Sequence, residues 1–453
     1  MPTTGRVMMA ILTAVAGMAT NGWAQGNLTP LDGPTPTMKT LQEMWDELQT
    51  HRAMITYLNF LASRTDQNVA LLSNQVAALS AQMIDVPKLV ADLSVQMAAQ
   101  SKRIAALTSA HFLSVTAPLT MFVDTNNYVG GYTSLALSPS GHPAISYYDE
   151  EHRDLKYAFW NGASWVIQTV DSAGDVGEWT SLAFQPSSGN PGISYYDASH
   201  GYLKYAGWNG SGWVIYNVDT NATVGRFTSL AFQPTTGNPA ISYDDSSRLD
   251  LKYAGWDGSK WVIYTVDSGG NQGMYNSLAF TPSGSPAISY YDGTGHCLLY
   301  TVWNGASWVG QIVDSAGDVG SYSSLAFTPA GNPAISYYDV SNAHLKYAVW
   351  SGSSWTSQVV DSAGDVGQST SLAFTPAGNP AISYYDASNA DLKYAVWNGS
   401  SWAIQTVDSV ADVGFWSSLA FTPAGNAVIS YMYADVFGHP YHGLKYAEII
   451  QAP

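Results

Sequence analysis

Residues 114–450 predict an all-β seven-bladed propeller of four-stranded blades, preceded by an α-helical coiled-coil stalk over residues 38–110. Three observations carry the propeller. The tripeptide Ser-Leu-Ala recurs with its serine at Ser134, Ser181, Ser229, Ser277, Ser324, Ser371 and Ser418, at intervals of 47 or 48 residues. Each interval holds four β-like runs punctuated by Gly, Pro, Asn and Ser, for example Ser371-Leu-Ala-Phe-Thr, Pro380-Ala-Ile-Ser-Tyr-Tyr, Leu392-Lys-Tyr-Ala-Val-Trp and Trp402-Ala-Ile-Gln-Thr-Val. Four short strands in a period of this length make one blade. The seventh unit stops after its third strand, while an orphan fourth strand, Ala117-Pro-Leu-Thr-Met-Phe-Val-Asp, stands ahead of the first unit. Pairing the orphan with the last three strands completes seven blades and hides two sheet edges.

The chain opens with Arg6, an apolar run from Val7 to Ala19 and a small-x-small site at Gly22-Trp23-Ala24. That pattern predicts a signal peptide over 1–24 and a secreted, periplasmic or cell-surface location. No cysteine follows the cleavage site, so a lipoprotein anchor is not expected. After signal removal no segment is apolar enough to be an integral membrane span. Residues 25–37 are polar and rich in Pro and Gly, a linker.

From Leu41 an apolar period of seven runs through Leu48 and Ile55 to Ile104, with a second series three residues later from Met44 to Leu107. These are a and d positions of a coiled coil, and they predict a homo-oligomer, dimer or trimer, through residues 38–110. Polar d positions at His51, Thr65 and Gln100 would fix register and strand number. Pro87 kinks or ends the helix. An intrachain helical hairpin is the alternative, with Asp85 capping its second helix.

A formal charge of −17 argues against nucleic acid and anionic membrane surfaces as partners. Cys297 is the only cysteine. No intrachain disulfide is available, and its expected loop position leaves an intermolecular one as a minority reading. Two series of six tryptophans, one starting at Trp160 and the other at Trp165, recur at fixed positions, where blade-on-blade packing is the expected role.

The unit Ser-Leu-Ala-Phe-x-Pro-x-Gly-Asn-Pro-x-Ile-Ser-Tyr-Tyr-Asp, with Leu-Lys-Tyr-Ala and Asn-Gly-x-Ser-Trp after it, resembles repeats of secreted bacterial propellers of the sialidase-like and fucose-lectin-like groups. The resemblance implies the fold more strongly than an activity. Asn161-Gly-Ala-Ser-Trp and its copies lack the Asp-x-Gly spacing of a sialidase Asp-box, and the propeller's arginines are Arg153, Arg226 and Arg248, with no matching triad.

Strands alternate direction within a blade, so the loop entering each blade shares a face with the loop joining its second and third strands. The turns on the other face hardly vary. The first face does vary, and just before each first strand it carries Tyr132, Trp179, Phe227, Tyr275, Tyr322, Ser369 or Trp416. Near the channel mouth these aromatics would stack on a sugar ring or plug the channel, with equal weight. His439 and His442, in the irregular seventh loop, are further binding candidates. Aspartates end the second and fourth strands. Asp171 with Asp175, Asp314 with Asp318, and Asp361 with Asp365 are weak calcium candidates, the commoner role being an Asx-turn. No cofactor is required. Near-identical units suit a non-catalytic protein binding glycan or a surface protein, with scaffold and enzyme as alternatives, since catalysis needs one asymmetric constellation.

Overall fold

In a computed structural model, residues 52, 118–126, 128–435 and 442–450 are described; the expected signal peptide, linker, Pro87 and, apart from Arg52, coiled coil lie outside them, as does His439. The chain divides into two units, Met1–Ser101 and Lys102–Pro453. Among the described residues no helix is long and apolar enough to cross a membrane.

The described part of the second unit contains twenty-eight strands in seven four-stranded sheets. β1 (Leu119–Asp124) precedes the first blade, which is β2 (Val129–Leu137), β3 (Pro143–Asp149), β4 (Asp154–Trp160) and β5 (Trp165–Asp171). β6 to β25 repeat that blade five times, from Val176 to Asp408. The last sheet has the order β1-β28-β27-β26, from β26 (Asp412–Phe421), β27 (Ala427–Ala434) and β28 (His442–Ile449). Thr120 pairs with Ala447 and Met121 with Tyr446, antiparallel. The ring therefore closes as the strand imbalance at its two ends requires.

Three sets of contacts between neighbouring blades account for the repeated motifs. The first strand of each blade lies at the inner edge of its sheet, where its amides have no further strand to bond. The Ser-Leu-Ala serine meets that need: Ser134 Oγ accepts the amide of Leu182, Ser181 that of Leu230, and so on to Ser418, which accepts from Leu135 across the closure, at 2.9–3.0 Å. A second set joins the buried serine of Ile-Ser-Tyr to a hydroxyl or amide of the next blade, as Thr180 donating to Ser146 at 2.7 Å.

The third set is the most buried. Tyr147, Tyr195, Tyr243, Tyr290, Tyr337, Tyr384 and Tyr431 are at most 2% exposed. Each donates its hydroxyl to the aspartate ending the preceding blade's fourth strand, Asp124, Asp171, Asp219, Asp267, Asp314, Asp361 and Asp408 in turn, at 2.6–2.8 Å. A lysine joins several of these pairs: Lys204 lies 2.6 Å from Asp171 and 3.5 Å from Asp197, and Lys346 lies 2.5 Å from Asp314 and 3.6 Å from Asp339. Unit four has Leu299 at the lysine position.

Two expectations are corrected. Cys297 is not in a loop: it opens β16 (Cys297–Trp303) and is 6% exposed, because its side chain packs inward where the strand begins, which removes it from intermolecular pairing. The tryptophan series also divide. Trp213 packs edge-on against Tyr157 of the preceding blade at 5.2 Å, as its equivalents do at other seams, but Trp160 packs against Trp165 across their own hairpin. A cross-strand pair at the end of a hairpin turns its first ring toward its partner, although Trp256 and Trp303 also meet Tyr216 and Tyr264 of the preceding blade at 6.1 and 6.2 Å between centroids.

The lysine supplies a stability test. Burial alone would raise the Asp314 carboxyl, but hydrogen bonds from Lys346, Tyr337 and the Ala316 amide outweigh it and hold it below its ordinary value. Lys346→Leu leaves Asp314 and Asp339 buried without their cation, an expected loss of about 3 kcal/mol in urea unfolding at pH 7. A carboxyl lowered in the folded state stabilises above its unfolded value of 3.8 and loses that contribution as pH falls below it. The gap between variant and native chain should therefore close in acid.

Candidate functional site

The aromatic residues expected before each first strand lie inside it, on a β-bulge. In the first blade Val129 pairs with Asp149, Gly131 with Tyr148 and Ser134 with Ser146, so Tyr132 and Thr133 fall between ladder positions. Tyr132, Trp179, Phe227, Tyr275, Tyr322, Ser369 and Trp416 all have φ between 50° and 56°. For bulky residues this left-handed conformation costs on the order of 1–3 kcal/mol each. Packing against the next blade holds it: Thr228 Oγ1 donates to the Trp179 carbonyl at 2.9 Å, and Ser417 Oγ to that of Ser369 at 2.8 Å. A bulge re-aims a side chain, and here it turns six rings toward the axis.

The six rings form a crown. Consecutive centroids are 4.0–4.8 Å apart from Trp416 through Tyr132, Trp179, Phe227 and Tyr275 to Tyr322, mostly in tilted contact. Ser369 interrupts it between Tyr322 and Trp416. With the hydroxyl and amide side chains next in sequence, from Thr133 to Ser417, the crown lines a central depression of about 180 Å³. The rings thus both narrow the channel and present partly exposed aromatic surface at its mouth.

One sector beside the crown departs from the repeat. The residue before each crown position is Gly131, Glu178, Arg226, Met274, Ser321, Gln368 or Phe415. Arg226 pairs in register with Asp244, which stands where five other units have tyrosine. Asp244 is 4% exposed and accepts a hydrogen bond from Ser246. Burial pushes its carboxyl up to about 6, against Ser246 and Arg226, which lower it. Burial also raises Glu178, reinforced by Asp175 and Glu150 and opposed by Arg226. Arg226 lies over the Tyr196 ring at 5.5 Å. These charged residues were not singled out from the sequence, although Asp244 is visible there as a break in an otherwise constant tyrosine position.

The remaining candidates lie elsewhere. His442 opens β28, 3.3 Å from Glu150 of the first blade and in edge contact with Tyr128. The hydrogen bond its ring donates to Glu150 raises it most, against its burial. It does not line the depression. The calcium candidates have protein partners. Asp171, Asp314 and Asp361 take the buried tyrosines on one oxygen and an amide two residues on, the Asx-turn, on the other. Asp175 and Asp365 accept from Tyr148 and Tyr338, and Asp318 from Tyr291. Among the described residues no group of three or more His, Cys, Asp and Glu side chains is arranged to hold a metal.

No protein-family model matches the chain, and no curated protein is similar to it. Several solved structures are similar to it, among them three with TM-scores under 0.5. The SapL1 lectin in complex with alpha methyl fucoside is 15% identical, with 60% of this chain and 95% of that one covered and a TM-score of 0.42. An ulvan lyase, from a new family of polysaccharide lyase, is 14% identical over 73% and 95%, with a TM-score of 0.49. The NanB sialidase from Streptococcus pneumoniae is 11% identical over 74% and 70%, with a TM-score of 0.40. The chain is a seven-bladed β-propeller protein, and its structural neighbours include lectin and sialidase propellers.

Proposed function

We propose that this chain is a non-catalytic secreted or surface binding protein whose crown recognises glycan or another extracellular ligand, displayed on an oligomeric stalk. The observation that carries the reading is the repeated strain at the crown. Glycine would hold a φ near 50° at no steric cost, yet six of the seven positions keep a large ring there. A plug alone needs only bulk, which leucine or methionine in an extended strand would supply. Flat aromatic faces at a polar mouth suit the C–H faces of a sugar ring. An oligomeric stalk over residues 38–110 would multiply one weak site into avidity.

Asp244 favours a second reading, a glycan-active enzyme. A carboxyl titrating near pH 6, with the ionisable Glu178 and Arg226 in the same sector, has the acid–base character that glycoside cleavage uses. A purely structural cell-envelope scaffold is the outcome if neither assay responds.

A glycan array run at low and high calcium, followed by titration of any ligand found, tests the main reading. Trp179→Ala and Trp416→Ala should each weaken binding about tenfold, the loss of roughly 1.4 kcal/mol of ring contact. Unchanged affinity in both would remove the crown as the site. For the second reading, hydrolysis or elimination of a bound glycan should disappear in Asp244→Asn; binding with no turnover in the native chain sinks it. Independently of activity, the raised Asp244 carboxyl stabilises the fold at low pH, and that contribution is lost as pH rises through about 6. Asp244→Asn should therefore gain in melting temperature relative to the native chain at pH 7.5 but not at pH 4. Sedimentation with and without residues 38–110 tests the stalk: the full chain should be a dimer or trimer and the shortened one a monomer. A monomer in both ends the avidity argument.

A further inference from the structure

The buried tyrosine–aspartate bond is the same at every seam, the closing one included. Nearer the mouth the seams differ. Four of them carry a second bond of the same kind: Tyr148 donates to Asp175, Tyr291 to Asp318, Tyr338 to Asp365 and Tyr385 to Asp412, at 2.7–2.9 Å. At the closing seam both partners are replaced. Met432 stands at the tyrosine position and Tyr128 at the aspartate position.

Three further departures from the repeat meet at the same place. Glu150 stands where blades two to six have Ala198, Ser246, Gly293, Val340 and Ala387. Gly131 stands where blades two to seven have Glu178, Arg226, Met274, Ser321, Gln368 and Phe415. The backbone of Gly131 is not left-handed, so conformation does not demand glycine, yet a Cβ there would lie 2.9 Å from Glu150 Oε1. The glycine makes room for the carboxylate. His442, from blade seven, meets the other oxygen, with Nδ1 3.3 Å from Glu150 Oε2. Its Nδ1 is buried, and its ring stands edge-on to Tyr128 at 5.7 Å between centroids. Tyr128 and Glu150 are tied together within blade one, the Glu150 amide donating to the Tyr128 carbonyl at 2.8 Å. The histidine of the last blade thus sits in a socket built by the first.

The charged groups that bear on His442 are carboxylates. Glu150 raises it most, through the hydrogen bond; burial opposes the rise, and the charges of Glu150 and of Asp412, on β26, add to it. Asp435 follows Ala434, the register partner of His442 on β27. The nearby cations are engaged elsewhere. Arg153, on the loop of Glu150, lies 3.6 Å from Asp175 of blade two, and Lys445 on β28 pairs with Asp408.

We infer that His442 and Glu150 form a pH-sensitive clasp on the closing seam, fastened while the imidazole is cationic and loosened when it is neutral. At 3.3 Å the contact is long for a neutral hydrogen bond, so its strength lies in the two charges. A tyrosine hydroxyl stays a donor throughout the neutral range, and the four seams with a second tyrosine–aspartate bond keep it. Blade four has His296 3.5 Å from Asp318, but Tyr291 holds that aspartate whatever the charge on the imidazole. A base raised in the folded state stabilises below its unfolded value of 6.5 and loses that contribution as pH rises through the higher folded value. The seam that joins the chain's two ends is therefore the one that alkali loosens first.

The test uses the full chain, with amide hydrogen exchange expressed as protection factors at about pH 6 and pH 8.5, and NMR titration of the histidines. Protection of β1 and β28 should fall about fivefold across that range, the scale of one partly exposed ion pair. The equivalent strand of blade five, β20 (His344–Trp350), should hold. His442→Gln and Glu150→Gln should abolish the difference. Gly131→Ser restores what blade five carries, Ser321, so it should fold; it displaces the carboxylate while leaving both ionisable groups, and should also abolish the difference. The His442 midpoint should lie above 6.5 and fall in Glu150→Gln and in Gly131→Ser. An equal fall in β20, a fall that persists in Glu150→Gln, or a midpoint unmoved by Gly131→Ser overturns the inference.

Discussion

Everything in this propeller rests on a buried phenol bonded to a carboxylate, repeated at all seven seams and with every carboxylate but Asp267 buried as well. The tyrosine comes from the second strand of one blade and the aspartate from the end of the blade before. A hydrogen bond to a charged acceptor contributes about 1.5–3 kcal/mol, and an unmet buried carboxylate costs more. Each seam is therefore intolerant of separation, and the seven are linked in series around a closed ring. The closing seam is not special: Asp124, on the strand supplied from the N-terminal side, meets Tyr147 as Asp171 meets Tyr195. Whatever holds one blade to the next also holds the chain's two ends together.

That rigidity is what allows strain at the mouth. Seven left-handed residues in one ring represent, at on the order of 1–3 kcal/mol each, as much as a domain's whole net stability. They persist because ladder pairing precedes each bulge and fixed contacts follow it, the buried hydroxyl pair and the serine-to-amide bond. A softer scaffold would relax the bulges and swing the rings out of the channel. Strain of this kind is held by a surrounding structure, and the surroundings here are the seams.

The sequence made legible whatever repeats. Blade number, strand limits and ring closure follow from a period and from one missing and one surplus strand. The choice of variable face also follows, because strand alternation fixes it. What repeats only in space was harder to read. The Ser-Leu-Ala serine marks the period, but that its hydroxyl serves the next blade's amide 48 residues away depends on the inner strand being an edge. In sequence the aspartates allow calcium or Asx-turns, while the tyrosine hydroxyls that bond them, as Tyr195 bonds Asp171, show only in space. By sequence the crown residues precede the strands, since a bulge has no compositional signature when the left-handed residue is not glycine. Asp244 stands in the aligned repeats as a plain break in a tyrosine position. A single departure from a consensus acquires meaning only when its neighbours across a seam are known.

Those departures are where a symmetric ring acquires direction. Seven identical blades would offer seven equal sites or one axial one, and no means of orienting an asymmetric ligand. Here the charged positions Glu178, Arg226 and Asp244 cluster on blades two and three, and the crown is open at Ser369 in blade six. The gap and the charged sector are thus on different sides of the axis. A ligand lying across the mouth would meet aromatic faces throughout, charge at one end and an unfilled position at the other. The positions forming the seams hardly vary, since any change there breaks a contact shared by two blades. Side chains at the mouth also touch across blades, but the bonds that hold their bulges run through backbone carbonyls and neighbouring hydroxyls, so the aromatic ring itself can change where the buried tyrosine and aspartate cannot.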